Sequence, residues 1–255
     1  MTLADFAHGH RFVVFHEDDV GMTHGANTAF VALSALGTCS SGSVMVPCPW
    51  FPEAVEIAHA HASLDLGVHL TLTSEKRPYR WRQLTCPPRS AGLTDDLGYF
   101  WPDVPNVRRH AVPDAVEAEL RAQIETALTA GLDVTHLDAH MGTVMCPEFV
   151  AIYFRLGIEY KLPILLVRDY NTFNPRSYSG PMSNDRYDAV LAEAEAMGLP
   201  IFEVVESDQA HIRTEEYALF RTALIAEWVR ANGLEVIGLR GVRDRLRSHL
   251  AKTQS

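Results

Sequence analysis

The 255-residue chain has only four cysteines, Cys39, Cys48, Cys86 and Cys146, and none stands in the close pairing of a zinc knuckle. Their scatter excludes a cysteine-built metal site or disulfide framework and leaves four neutral or buried thiols. Long apolar runs are also missing. No segment approaches the roughly 18 apolar residues of a membrane span. Met1 to His10 lacks the basic start and apolar stretch of about 7–15 residues that mark a secretory signal, so a cytoplasmic protein is expected. Positive charge is scarce as well: 22 lysines and arginines face 32 aspartates and glutamates, for a net charge of -10 and a pI near 5.6. Phosphates reward a basic face, so a nucleic-acid partner is not expected. Internal repeats and low-complexity tracts are absent.

What is present is 47% hydrophobic residues, enough for one large core, and 1–255 reads as a single domain. Short β-branched or aromatic runs alternate with helical periods. Strands are expected at Arg11–His16, Gly42–Val46, Leu66–Leu72, Val134–Leu137, Ile164–Val167, Ile201–Val205 and Glu235–Leu239. Helices are expected between them: one ending near Gly37, then Pro52–His61, Asp114–Ala130, Pro147–Tyr160, Asp185–Met197 and Glu215–Asn232. Val116, Leu120, Ile124 and Leu128 give the third helix one apolar face, Pro113 suits its start and Gly131 its end. Parallel strands need such crossovers. About seven strands suit a single β/α barrel, with an open doubly wound sheet as the other arrangement this alternation allows.

Residues 74–112 break the rhythm. Five prolines, at 78, 87, 88, 102 and 105, punctuate a stretch with no periodic element, and it holds Tyr79, Trp81, Tyr99, Phe100 and Trp101. A loop this long inside a domain is a functional lid or a disordered insert, and its aromatics argue for order. Trp81 and Trp101 are therefore candidates for lining a binding pocket, or for anchoring the loop. Arg168, just past the fifth strand, is taken with them as a candidate substrate contact.

Three places could carry chemistry. Glu17-Asp18-Asp19 follows the first strand, where a barrel opens its active-site mouth. Their mutual repulsion would be relieved by a cation. His69 alternates with Val68 and Leu70 and so faces away from them. Asp138 and His140 lie two apart at another strand end, with His136 earlier in that strand. Singly, each has an ordinary reading as a helix cap, a core histidine or a polar loop. Together, carboxylates and two imidazoles from three strand ends match a catalytic metal site with open positions.

The stretches HEDDVGMTHGANTAF, SGSVMVPCPWFPEA, LDLGVHLTLT and THLDAHMGTVMCPEF, in that order, resemble the YdjC-like carbohydrate deacetylases, a group related to the NodB-type polysaccharide deacetylases. The resemblance implies a β/α barrel with fewer than eight strands. It implies one divalent ion, zinc or magnesium, held by Asp19, His69 and His140, with Asp18 as general base. It implies deacetylation of an N-acetylated amino sugar or related carbohydrate, and leaves a homo-oligomer open. Alanine stands at 139 where the family has serine, and Glu17 where it usually has alanine.

One departure is larger. The family's further strand ending in His-Pro, whose histidine is the expected general acid, has no counterpart; His-Pro occurs nowhere in the chain. His211 is the nearest histidine to that gap, and His16 and His24 flank the acidic triplet. Two alternatives therefore stay open: a barrel sugar isomerase using Glu203 and Glu206, and a metal- or glycan-binding homologue with impaired catalysis.

Overall fold

Strands buried on both faces need small or apolar residues throughout, and two segments supply them. Ser41–Val44 (β3) and Leu66–Leu70 (β4) are buried at every position. The structure is a computed structural model that describes residues 10–168, 184–203 and 213–253. In it β3 and β4 lie at the centre of a four-stranded parallel sheet, in the order His16–Val20 (β2), β3, β4, Leu137–Ala139 (β5). Phe12–Val13 (β1) runs into β2 and pairs in parallel with Glu235–Val236 (β6). Beyond β5, parallel bridges join Leu137 to Ile164 and Val167 to Phe202. The strand positions thus follow one another in chain order, all parallel. Among the described residues no ladder joins Phe202 to β6; what the ladders establish is a parallel α/β fold.

Helices fill the crossovers. Thr23 caps His24–Leu36 (α1) by accepting from the Ala26 amide, and Gly37 ends it in the left-handed conformation. Phe51–Ala60 (α2) follows β3. Val104–His110 (α3) lies inside the long loop, where no helix is expected; Asp103 caps it, accepting from the Asn106 amide at 2.9 Å. Pro113–Thr129 (α4) matches the expected third helix within one residue. Val116, Leu120 and Ile124 are fully buried, but Leu128 is 41% exposed and Ala127 replaces it in the core. Four residues turn a helix through about 400°, so an every-fourth stripe drifts off the face and a step of three restores it.

Later helices are Val150–Tyr160 (α5), Asp185–Ala196 (α6), Arg213–Phe220 (α7), Ala223–Ala231 (α8) and Arg240–Thr253 (α9). The single helix expected at Glu215–Asn232 is two, because Thr222 stops one and starts the next. Its hydroxyl donates to the Leu219 carbonyl, and its oxygen faces the Leu224 amide. The α9 helix is not anticipated, although Leu239, Val242, Leu246 and Leu250 are buried at helical spacing. Its first turn is tied to residues just before β4 and β5. The Arg240 amide donates to Asp65, Arg240 pairs with Asp133, and the buried Arg243 reaches Asp133 and the Val134 carbonyl. Among the described residues no helix is long and apolar enough to cross a membrane.

The segment 74–112 is held from outside. Buried Glu119 of α4 accepts from the Leu84 amide and from both the amide and hydroxyl of Thr85. Gln123 bridges the backbone N–H and C=O of Thr71.

Candidate metal centre

The acidic triplet lies inside β2 rather than after a strand. The expected strand Arg11–His16 is divided between β1 and β2, and the register with β3 shifts between Glu17 and Val20. Asp19 sits in that irregularity at φ 60°, a left-handed conformation that aspartate tolerates better than most residues. This puts Asp19 in the interior and leaves Asp18 exposed. Gly21 then makes a turn so tight that a Cβ there would stand 2.9 Å from Val44 Cγ2.

β4 delivers His69, and the residue after β5 is His140, itself followed by two left-handed residues, Met141 and Gly142. Asp19 Oδ1 lies 3.5 Å from His69 Nε2 and 3.0 Å from His140 Nδ1. One ligand atom from each of the three buried residues falls within 4.8 Å of the others.

The far side of each ring decides what faces inward. His69 Nδ1 is 2.7 Å from Asp138 Oδ1, and His140 Nε2 is 3.1 Å from Glu75 Oε2. An ionised carboxylate can only accept, so each outer nitrogen carries a proton and a neutral ring turns its lone pair toward Asp19. His69 Nε2 is buried without a hydrogen-bond partner among the described residues. Two lone pairs and a carboxylate aimed at one point repel unless a cation or extra protons stand between them. Carboxylates behind metal-binding histidines are a recurring way of fixing tautomer and orientation. The donor set fits a divalent ion with positions left open for water and substrate.

Without an ion, protons take that place. Burial opposes the charge on each ring. Asp138 and Asp19 nevertheless hold the His69 imidazolium well above its usual pKa. Asp19 and Glu75 do the same for His140, at about 9 against an ordinary 6.5. Burial pushes Asp19 upward too, but His140 and His69 hold it well below the usual carboxylate range.

The remaining candidates are dispersed. Trp81 is buried, donates to the Thr73 carbonyl at 2.8 Å, and has its ring 6.1 Å from that of His140. Trp101 stacks on His110 at 4.5 Å and donates to the Gly92 carbonyl, so its ring serves the loop. Arg168 pairs with Glu195 and Glu203 on the surface. His24 bonds Glu53 beside α1, and His16 lies behind His69, 2.9 Å from Asp138. His211 lies outside the described residues. Glu75 is missing from the sequence reading: it sits in the aperiodic segment, 65 residues from the histidine it supports.

Sequence comparison finds a carbohydrate deacetylase of Thermus thermophilus, 41% identical over 154 residues, covering 60% of this chain and 53% of that one. A carbohydrate deacetylase of Brevibacillus brevis is 32% identical over 157 residues, covering 60% and 58%. The matched stretch thus spans little more than half the length of these relatives. A solved structure from Enterococcus faecalis V583, described as a cellobiose-phosphate cleavage protein, superposes with a TM-score of 0.69 over 91% of this chain and 99% of that one. At 19% identity that likeness speaks for the fold alone. The family model for YdjC-like proteins matches residues 12–244, a span that includes Asp19, His69 and His140 and the strands that carry them, and the chain belongs to that family.

Proposed function

We propose that the chain is a metal-dependent hydrolase that removes an acetyl group from an N-acetylated amino sugar or a related carbohydrate. The observation that carries this reading is the convergence of Asp19, His69 and His140, each ring backed by its own carboxylate. The matching relatives are named carbohydrate deacetylases, which supplies the substrate class. One divalent ion is implied. Two imidazoles with one carboxylate favour zinc over magnesium, which prefers oxygen ligands. Such an ion, when bound, polarises the acyl carbonyl and acidifies water.

The chain's own residues supply the rest. Asp18, exposed beside Asp19, is the proposed proton acceptor for the attacking water. Trp81 packs against His140 and supports the site from within the 74–112 segment, while Trp101 stiffens that segment through His110. Arg168 remains available to a substrate only by leaving Glu195 and Glu203. His211 is the candidate donor to the leaving amine. The parallel strands are proposed to curl into one incomplete barrel of about seven strands, a single domain. The sugar-isomerase alternative is weaker, because Glu203 is taken by Arg168 at the surface and Glu206 lies outside the described residues.

Acetate release from N-acetylglucosamine oligomers tests the proposal, with the chain loaded in turn with zinc, magnesium, manganese and cobalt. Release that disappears in Asp19→Ala supports it. No release with any of the four ions overturns it and favours a binding protein.

A further inference from the structure

Behind His69, on the side away from Asp19, lies a second group of ligand-type residues: His16 on β2, and His136 and Asp138 on the strand leading through β5. One ligand atom from each falls within 4.8 Å of the other two. His16 Nε2 is 2.9 Å from Asp138 Oδ2, and Ser43 Oγ lies between them, 3.0 Å from the ring nitrogen and 2.7 Å from the carboxylate. The rings of His16 and His136 meet edge to face at 5.1 Å.

The tautomer of His136 can be deduced. The Thr135 hydroxyl has one proton, and it goes to Asp65 Oδ1 at 2.6 Å. Toward His136 Nδ1, 2.9 Å away, the same oxygen can then only accept. Nδ1 therefore carries the ring's proton and Nε2 is a bare lone pair. That Nε2 is buried and has no hydrogen-bond partner among the described residues, on a residue only 2% exposed. Leaving a buried acceptor unsatisfied is costly, because the group has given up water and gained nothing in return. Room has been left for the ring all the same: a Cβ on Gly67 would stand 2.4–2.6 Å from three of its atoms.

We propose that His16, His136 and Asp138 form a second cation site, for zinc or a similar borderline ion, distinct from the one at Asp19. Its donor set, two imidazoles and a carboxylate, is that of a nitrogen-preferring divalent ion. The geometry asks little: His16 and Asp138 are already in contact, and the ring of His136 has only to close on them. Asp138 then serves both places, with Oδ1 on the His69 proton and Oδ2 toward the second ion. The ion enters from the flank of β2, where the His16 side chain is 25% exposed. It ties β2 to β5 across the two strands between them, a structural role independent of the reaction proposed above.

Counting zinc tests this separately from that reading. The full chain is saturated with zinc, desalted, and weighed by native mass spectrometry with elemental analysis. The parent is expected to hold two ions, and His136→Gln and His16→Asn one each. Asp19→Ala is expected to keep the ion that the histidine variants lose. His16→Asn, at the partly exposed rim, guards against misfolding of the buried variant, and circular dichroism checks both. A parent with one zinc, lost in Asp19→Ala, overturns the second site and leaves the first standing. A parent with one zinc, lost in His136→Gln, supports the second site and overturns the metal centre at Asp19. Two zinc ions retained in both histidine variants overturn the proposal.

Discussion

Glu75 holds His140 from behind, its Oε2 3.1 Å from the ring's Nε2, so the nitrogen that faces Asp19 is the one left without a proton when the ring is neutral. Removing that support should loosen the ion without touching a ligand. Glu75→Ala is expected to weaken zinc binding at the Asp19 site by about 10- to 100-fold. Glu75→Gln, which keeps an acceptor oxygen, should lose less. Competition with a chromophoric chelator measures both, and unchanged affinity in Glu75→Ala would remove the carboxylate from the design of the site.

The same pairs set opposite pH trends with and without metal. In the metal-free chain His140 is raised from 6.5 to about 9. Its contribution to stability is therefore complete below about pH 6.5 and is lost as pH rises through 9. Asp19 is held below 3.8, so its contribution is present above that value and fades in acid. A bound ion must displace the His140 proton, so the zinc-loaded chain should gain stability over the interval in which the free chain loses it. Melting temperatures from pH 6 to 9, with chelator and with zinc, should diverge; parallel curves would mean that no ion displaces the proton.

Asp18→Asn keeps the side chain's shape but cannot take a proton. It should retain metal and lower kcat by roughly 10²–10⁴-fold, the usual worth of a general base. Full activity would release Asp18 from the role, and loss of metal would mean that the two aspartates had been exchanged.

The leaving group reports on the acid. An alkoxide departs more easily than an amide nitrogen, so a chain without a proton donor should turn over a matched acetyl ester faster than the acetamide. A fast amide reaction that His211→Ala abolishes, with metal retained, would identify His211 as the donor.

Glu119 should matter to stability and not to metal. Truncation to alanine strands the Leu84 and Thr85 amides that its carboxylate accepts. The expected cost is about 3 kcal/mol, read as a lowered melting temperature with the zinc content unchanged.

How far the sequence discloses all this depends on the range of the interaction. β3 and β4 are legible because burial on both faces demands an apolar or small residue at every step, and α4 because its period is local. Asp19, His69 and His140 stand out in the sequence because a carboxylate and two imidazoles fall within or just after three strand-like runs, although Asp19 lies inside β2 and not beyond it. Glu75 does not, since nothing in an aperiodic segment marks which side chain will turn back toward His140. The order of that segment is signalled by its aromatics, but its anchor is hidden, because Glu119 lies on another element. Asp138 shows the limit within a single motif: two residues before His140, it serves His69 on the neighbouring strand. The split between α7 and α8 turned on one threonine, whose capping competes with a continuous apolar period.

The pairing of Phe12 with Glu235 has a consequence for the order of assembly. β1 finds its β6 neighbour only after all the strands between them have been made. The aspartates under β4 and β5, Asp65 and Asp133, wait still longer for Arg240 and Arg243. During synthesis the central strands can collapse early on local crossovers, while β1 keeps one edge uncovered until β6 emerges. Damage near β6 should therefore be felt at β1, as an unprotected strand near residue 12.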